Sequence, residues 1–299
     1  MLFVFTLALL LAGYHRLWVG RPMGEGPAGP AVPRDLFAKP WTARPVVLVG
    51  MGDSITAGFG ASAHRSYFEL LVTNAPGDAP DLRGVCLSAV LPNLRATNLG
   101  WSGSTSLQHA KTSLSRLTPQ PLNVLGVVVL TTGGNDIIHD YGRTPPVEGA
   151  MYGASRTQAQ PWIDAFAHRL EDMVNRITAA FPGGCHIFLA NIYDPTDGVG
   201  DIQRAGLPAW PDGLAILDAY NRIIAGVVAN HPHVHGVNLH DAFLGHGIHC
   251  RQFWRAHYRA EDPHYWYYTN LEDPNDRGYD AIRRLLLIEM AKVLPETKP

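Results

Sequence analysis

The stretch MGDSITAG, residues 51–58, directly follows the apolar run VVLV, residues 46–49. A short continuous apolar run predicts a buried strand. In an open α/β sheet, residues at the C-terminal end of such a strand face the crevice in which these sheets bind ligands. The glycine-flanked turn therefore predicts that Ser54 presents its hydroxyl to a ligand in that crevice.

Two further blocks fit the same arrangement. The block NLGWSG, residues 98–103, ends a second extended run, and TGGND, residues 132–136, follows a third run at 125–130. Three strand ends then offer a serine hydroxyl, a glycine backbone N–H and an asparagine amide. Those groups are the parts of a nucleophile with an oxyanion hole.

The order and spacing of these blocks resemble those of the GDSL or SGNH hydrolase family, over roughly residues 46–294. The resemblance implies a serine hydrolase that cleaves carboxylic esters, of lipase, esterase or carbohydrate-deacetylase type, through an acyl-enzyme on Ser54. It implies the backbone N–H groups of Ser54 and Gly103 and the amide of Asn135 as oxyanion donors. No metal or organic cofactor is needed, and the expected substrate is a small-molecule, lipid or acylated-sugar ester.

The last block departs from the family. Its members usually carry Asp-x-x-His before the final helix, whereas this chain reads NLEDPNDRGY at 270–279. The alignment puts Asp273 in the histidine position and Asn270 in the aspartate position. A carboxylate with a reference pKa near about 3.9 is a poor general base for a serine at neutral pH, unless burial raises that pKa.

A relocated base is expected in the segment 245–270, which is rich in histidine and aromatic residues. His264 is the first candidate, because an acid, Glu261, lies three residues before it. Glu261 or Asp262 would orient the imidazole and stabilise its cation. The other candidates that the sequence leaves open are His257, His249, His246 and an Asp273 of raised pKa. Such a loop is also typical of a packed cover over the core.

Other interpretations of the site remain open at this point. Asp53 is predicted to hydrogen-bond the turn amides and so to fix the nucleophile loop. Loss of the usual Asp-x-x-His is also compatible with a degenerate, non-catalytic protein that binds acylated glycan or lipid. Transfer of an acyl group to a sugar would use the same site. The spacing HxxHC at 246–250 lacks a matching second ligand pair and predicts no metal site.

Composition restricts the class of protein. The chain has 299 residues, 46% of them hydrophobic and 17% charged, and a net charge of −2. This balance suits a globular core and gives no reason to expect nucleic acid as a partner. The three cysteines, Cys86, Cys185 and Cys250, allow at most one disulfide.

The N-terminus has a different composition. LFVFTLALLLAG, residues 2–13, fits the core of a signal peptide or a short membrane anchor within 1–20. We therefore expect export, to the periplasm, the medium or the outer side of a membrane. The Pro/Gly-rich segment 21–45 is predicted to be a semi-flexible linker, and 46–299 the hydrolase domain.

Strands and helices alternate along the domain. Apolar runs predict strands at 46–50, 125–130, 187–192 and 234–239, with a further extended run ending at Asn98. Periodic patterns predict helices at 67–72, 105–117, 161–180, 214–229 and 278–294. Alternation of this kind predicts a three-layer α/β/α sandwich around a mostly parallel, five-stranded sheet, as in flavodoxin-like SGNH hydrolases.

Overall fold

A parallel five-stranded sheet forms the centre of the molecule in the computed structural model, which describes residues 2–296. The strands are β1 (Val46–Met51), β2 (Leu94–Asn98), β3 (Leu125–Leu130), β4 (Cys185–Ala190) and β5 (Val234–Val237). Their order is β2-β1-β3-β4-β5, and every neighbouring pair is parallel. The predicted three-layer α/β fold is confirmed.

Helices cover both faces of the sheet. In chain order the helices of the chain are α1 (Leu2–Tyr14), α2 (Ser54–Ala57), α3 (Tyr67–Val72), α4 (Leu87–Val90), α5 (Ser106–Gln108), α6 (Gly134–Ile138), α7 (Arg156–Ala179), α8 (Gly213–Asn230), α9 (Leu239–Phe243) and α10 (Asp276–Val293). Apolar residues of α7 and α8 pack on one face, and those of α3 and α10 pack on the other.

The strand sequences explain why both faces are covered. In β3, Val127 and Val129 point into the core beneath α10, whereas Val128 and Leu130 point into the core beneath α7 and α8. All four side chains are at most 1% exposed. A strand buried on both sides requires apolar residues at successive positions, and for this reason its sequence shows a continuous apolar run.

Two helices differ from their predicted forms. Helix α7 begins at Arg156 instead of Pro161, because the Ser155 hydroxyl accepts a hydrogen bond from the Gln158 N–H at 3.1 Å and caps the helix five residues earlier. The predicted helix at 105–117 is a single turn, α5, followed by a π-helical turn at His109–Ser113 and a 3₁₀ turn at Leu114–Arg116.

The segment at 21–45, predicted to be a semi-flexible linker, packs along α10. The Ala28 N–H donates to Asp280 Oδ2 at 3.0 Å, and Arg277 donates to the carbonyls of residues 25–27. Helix α10 is therefore covered on its outer side as well as by the sheet. This covering explains why Arg283 and Arg284 are at most 2% exposed, paired with aspartates.

The N-terminal helix α1 extends away from this packed unit. Its larger apolar side chains from Val4 to Leu11 are 46–69% exposed. It is followed by a π-helical turn at His15–Val19, where Trp18 contacts Trp254 with ring centroids 5.9 Å apart. Within residues 2–296, no helix has both the length and the hydropathy needed to cross a membrane.

Candidate active site

The candidate site lies where the order of the strands reverses. Strands β2 and β3 both flank β1, so the chain leaves β1 in opposite directions and a crevice opens between the loops that follow β1 and β3. Ser54 is the first residue of α2 after β1, and Asn135 lies in α6 after β3. The two predicted residues therefore meet at the carboxyl ends of adjacent strands.

Close packing fixes the nucleophile loop. Gly52 has φ +150°, and a Cβ built there would lie 2.1 Å from Thr131 Oγ1, so this position requires glycine. Asp53 Oδ1 accepts from the Ile55 N–H at 3.1 Å and from the Thr131 hydroxyl at 3.0 Å. Asp53 thus caps α2 and ties it to the end of β3, which is the bracing role that the sequence predicted.

The groups predicted to bind an oxyanion come together beside Ser54. The Trp101 N–H donates to the Gly52 carbonyl at 2.9 Å, which holds the 98–103 loop against the nucleophile loop. The Asn135 amide donates one hydrogen to the Ser104 carbonyl at 2.9 Å. Ser54, Gly103 and Asn135 all line one polar cavity. Within residues 2–296 the backbone N–H groups of Ser54 and Gly103 donate no hydrogen bond, so both are free for a ligand.

Asp273 is buried next to the predicted nucleophile. It is 2% exposed, and burial raises the pKa of its carboxyl, while the Ser54 and Asn270 side chains lower it. Asn270 Nδ2 donates to Asp273 Oδ2 at 2.6 Å. Asp273 Oδ1 has no hydrogen-bond partner of good geometry within the described chain. The Ser54 hydroxyl is therefore close to the carboxyl without a well-formed hydrogen bond, as is common in unliganded active sites.

Two more carboxyl groups crowd the same site. Burial, with a smaller contribution from the charge of Asp273, raises the pKa of Asp53 to about 7, although the hydrogen bond from Thr131 opposes the shift. Burial also raises the pKa of Glu272, which interacts with Tyr141, Asp273 and His139. Three neighbouring carboxyls of raised pKa favour retention of a proton within the group near neutral pH.

Two cavities of opposite character border Ser54. One is lined largely by apolar side chains, among them Ile137, Ile192, Ile202, Leu214, Leu217 and Trp210. The other has mostly polar walls, with His139, Asp140, Arg143, Glu272 and Asp273 among the lining residues. Ser54, Asn135 and Asn270 line both cavities, so the serine stands at their junction.

The structure does not bring His264 to the serine. His264 Nδ1 lies 2.6 Å from Asp262 Oδ1, so the predicted acid–histidine contact forms, but the ring packs against Gly24 in the segment along α10. Asp262 is also held by Arg277 at 2.6 Å, and Glu261 is exposed. None of these residues is in the walls of the two cavities. A base role for His264 stays a prediction that this geometry does not support.

The other histidines of the loop are also occupied elsewhere. His249 Nε2 lies 2.6 Å from Asp201 Oδ1, and His246 stacks on Trp266 with ring centroids 3.5 Å apart. Exposed His257 packs beside Gly198. Within residues 2–296, no group of three or more His, Cys, Asp or Glu side chains is arranged to hold a metal ion, and all three cysteines there are free.

Sequence reasoning missed the residues that form the polar wall. His139 and Tyr141 follow the GGND block by only a few residues, and this proximity is the signal that could have identified them. Asp140 and Tyr141 have φ +63° and +50°, and Leu271 on the facing loop has φ +69°. Left-handed backbone at non-glycine residues is strained, and such strain clusters at functional sites.

Comparison with known proteins agrees with this geometry. Residues 51–281 match the family model described as GDSL-like Lipase/Acylhydrolase. The chain belongs to that family. It is accordingly a carboxylic ester hydrolase of the GDSL type. No match was found among the curated proteins.

Solved structures of GDSL-type enzymes share the fold. An extracellular lipase from Streptomyces rimosus superposes with a TM-score of 0.52 at 16% sequence identity, covering 82% of this chain and 99% of its own. A variant of an acetyl-xylooligosaccharide esterase from Geobacillus stearothermophilus gives a TM-score of 0.50 at 17% identity, covering 83% of this chain and 95% of its own. At these identities the similarity establishes the fold of this GDSL hydrolase and not its substrate.

The raised pKa of Asp53 predicts a pH dependence of stability. The folded chain holds a proton on Asp53 up to about pH 7, whereas the unfolded chain releases it near the ordinary value of 3.8. This group therefore lowers the free energy of unfolding as pH rises from about 4 to about 7. The Asp53→Asn variant lacks that titration, so its stability relative to the parent should increase across the same interval in urea unfolding.

A matched control is Asp241→Asn, since Asp241 is exposed and its partner His240 lowers its pKa below the ordinary value. That carboxyl titrates below about pH 4 in the folded chain, so the control should show no change in relative stability between about pH 4 and about pH 7. Equal pH slopes for the parent and Asp53→Asn would show that Asp53 is ionised in the folded chain.

Proposed function

We propose that this GDSL hydrolase uses Asp273 in place of histidine as the general base for Ser54, with Asn270 in place of the usual aspartate. The observation that carries the proposal is the 2.6 Å hydrogen bond from Asn270 Nδ2 to Asp273 Oδ2, beside the serine. The Ser54 backbone N–H, the Gly103 backbone N–H and the Asn135 amide are the proposed oxyanion donors.

The two replacements compensate each other. In a Ser-His-Asp arrangement the aspartate accepts a hydrogen bond from the histidine and stabilises its cation. When the base is a carboxylate, a second carboxylate at 2.6 Å would repel it, whereas an amide can donate to it. Asn270 is that donor. The pair therefore has the polarity that a working carboxylate base requires, and random loss of the family's two residues would not be expected to produce it.

The proposed reaction follows from this arrangement. The Ser54 hydroxyl gives its proton to the Asp273 carboxylate while its oxygen forms a bond to the ester carbonyl carbon. The carbonyl oxygen takes up negative charge among the three donors. The bond to the leaving oxygen then breaks, and Asp273 returns the proton to the departing alcohol. Water repeats the sequence on the acyl-enzyme and releases the acid.

Burial makes Asp273 a better base than a surface aspartate. Each unit by which the pKa rises reduces the cost of transferring the serine proton by about 1.4 kcal/mol. The same burial means that Asp273 must lose its own proton before it can act. Desolvation of Asp273, opposed by its interactions with the side chains of Ser54 and Asn270, therefore sets both the strength of the base and the lower pH limit of activity.

Removal of the base should abolish most of the activity. Ser54→Ala is expected to eliminate turnover of short-chain aryl esters, and Asp273→Asn to lower kcat by roughly 10²- to 10⁴-fold. In the parent, kcat/KM should rise with pH as Asp273 ionises, with a midpoint above 3.8 because burial raises its pKa. Asp273→Asn should lose that titration.

Two histidine variants serve as controls. His264→Ala should keep nearly full activity, since His264 contacts Asp262 and Gly24 and does not line the cavities at Ser54. His139→Asn tests the histidine that does line the polar cavity. If Asp273→Asn is as active as the parent and one of the histidine variants is inactive, the base is that histidine. No Ser54-dependent turnover at all would favour the non-catalytic binder.

We further propose that the apolar cavity holds the acyl group and the polar cavity holds the alcohol. The apolar lining of the first cavity favours a medium to long acyl chain over a short one, because each buried methylene contributes about 0.8 kcal/mol to binding. The polar cavity, with Arg143 and several carboxyls, suits an alcohol with many hydroxyl groups or a polar head group.

Filling the apolar cavity should shorten the preferred acyl chain. Leu214 is half-buried in the cavity wall at the start of α8, so Leu214→Trp places the larger side chain within it. Relative to butyryl esters, kcat/KM on decanoyl esters should fall roughly tenfold or more. The control, Leu122→Trp, changes a residue that is 75% exposed and outside the cavity, and should leave this ratio unchanged. An unchanged ratio in Leu214→Trp would place the acyl chain elsewhere.

We also propose that the protein is exported and that α1 holds it at a membrane. The 13 residues of α1 span about 20 Å, enough for one leaflet of a core roughly 30 Å thick but not for both. Trp18 and Trp254 at its base would lie at the interface, where amphipathic aromatic rings are favoured. Arg204 lies over the Trp18 ring, and Ile202, two residues before Arg204, lines the apolar cavity. An anchor at α1 would therefore bring that cavity near the lipid.

Vesicle sedimentation tests the anchor with the full chain. The parent should sediment with phosphatidylcholine vesicles, and Leu9→Asp together with Leu10→Asp should remove most of the binding, since charges within a leaflet are costly. Leu36→Asp together with Leu122→Asp, at exposed leucines outside α1, is the matched control and should bind as the parent does. Equal binding by the α1 variant would place membrane contact on another surface.

A further inference from the structure

His109 lies at the point where the three motif blocks meet. It is fully buried and opens the π-helical turn His109–Ser113, a distortion often found at functional sites. Its Nε2 is 2.7 Å from Ser104 Oγ, next to Gly103 of the second block, and its Nδ1 is 2.8 Å from Thr132 Oγ1 in the third block. Ser104 Oγ also lies 3.3 Å from the Gly52 carbonyl of the first block.

The surrounding acceptors determine the direction of these hydrogen bonds. Ser104 Oγ lies 2.5 Å from the Trp101 carbonyl and 3.3 Å from the Gly52 carbonyl, and a carbonyl can only accept. The Ser104 proton therefore points to a carbonyl, and Ser104 Oγ accepts from His109 Nε2–H. Nδ1 of the neutral ring is then unprotonated and accepts from the Thr132 hydroxyl. Burial lowers the pKa of His109 to about 4, which keeps this form at neutral pH.

This chain of hydrogen bonds reaches the proposed oxyanion donors directly. The residue whose hydroxyl His109 holds, Ser104, also accepts a hydrogen bond from the Asn135 amide through its backbone carbonyl. Gly103 precedes Ser104, so a movement of Ser104 would displace the Gly103 N–H and the Asn135 amide together. Thr132 fixes the other end of the ring to the loop that carries Asn135.

We propose that His109 is a positioning residue that holds the Gly103 N–H and the Asn135 amide in the geometry required to bind the oxyanion. This inference rests on the proposed function, because it concerns the oxyanion donors of that reaction. A rigid ring with a donor at one end and an acceptor at the other is needed to bridge the two loops. An apolar ring of the same size would fill the space without fixing either loop.

A separate network keeps the loops folded without His109. Asp136 accepts from the Ser106 N–H at 2.7 Å and from the Ser106 hydroxyl, while Arg169 donates to Ser106 Oγ at 2.8 Å. Because these bonds are independent of the imidazole, replacement of His109 should loosen the donors more than it unfolds the region.

The variant His109→Phe tests the proposal on the full chain. The expected result is a fall in kcat of roughly 10²-fold, comparable to loss of one oxyanion donor, with KM changed less than about twofold. The affinity for an alkyl boronate, which forms a tetrahedral adduct on serine, should fall in parallel. The affinity for an ether analogue of the substrate, which has no carbonyl group and cannot be cleaved, should not change. His109→Gln, whose amide nitrogen can donate to Ser104, should recover part of kcat.

Two further variants separate positioning from folding. Thr132→Val removes only the hydroxyl that donates to Nδ1 and should lower kcat in the same direction by roughly tenfold. Thr178→Val removes a similar hydroxyl–histidine hydrogen bond, to His233 at 2.8 Å, away from the site and should leave kcat unchanged. If His109→Phe does not fold, the kcat of Thr132→Val is compared with that of Thr178→Val. A lower kcat in Thr132→Val supports the positioning role, and equal values contradict it.

The outcomes distinguish this inference from the proposed function. The positioning role alone would be overturned if the parent shows Ser54-dependent turnover and the folded His109→Phe variant keeps its kcat and boronate affinity within about twofold of the parent values. A similar loss in the Thr178→Val control would also overturn it, since the effect would then be one of general stability. A parent without Ser54-dependent turnover would overturn the proposed function, whatever His109 does.

Discussion

A carboxylate buried beside a serine needs a hydrogen-bond donor, and the rest of the site is arranged around that requirement. Asn270 Nδ2 donates to Asp273 Oδ2 at 2.6 Å, and the backbone N–H groups of residues 272 and 273 donate to the side-chain oxygen Oδ1 of Asn270 at 3.4 and 3.2 Å. The short turn thus holds the amide in one orientation. The same turn presents Asp273 to Ser54 and Glu272 to Tyr141, so it supplies two of the three carboxyl groups crowded at the serine, the third being Asp53.

The loops at the sheet edge depend on one another in a similar way. Gly52 can approach Thr131 only because it has no side chain, and Thr131 in turn donates to Asp53 at the start of α2. His109 joins the same loops from below through Ser104 and Thr132. Each contact crosses from one motif block to another. The blocks are therefore tied into one unit, whereas the strained residues 140, 141 and 271 line the cavities at Ser54.

The sequence was sufficient to predict the fold, whereas the role of Ser54 stays a prediction. Buried parallel strands give continuous apolar runs, and the loops at their carboxyl ends carry the GDS, GWSG and GGND blocks, so the parallel sheet and the placement of these blocks at one edge follow from local patterns. The helix at 105–117 was predicted without its π turn, because the contact of His109 with Thr132 that accompanies the turn joins residues 23 positions apart in the sequence.

The sequence could not show which candidate base lies beside Ser54, and the reason is physical. Glu261 to His264 has the order of an acid–histidine pair, and Asp262 does contact His264 at 2.6 Å, but the pair is directed to Arg277 and the segment along α10. Whether an aspartate can serve as a base depends on its burial and its donors. Both depend on contacts between Asn270, Asp273 and the distant Ser54, which no local pattern encodes.

The most direct test of a carboxylate base is the pH dependence of Ser54 acylation at two temperatures in the unmodified protein. Stopped-flow measurement of the burst from an activated aryl ester gives the acylation rate and its pH midpoint. Ionisation of a carboxyl group absorbs almost no heat, whereas ionisation of an imidazole absorbs much. Our account predicts a midpoint that stays at the same pH on warming. A midpoint that moves to lower pH on warming would mean that a histidine accepts the serine proton, which would contradict the assignment of Asp273.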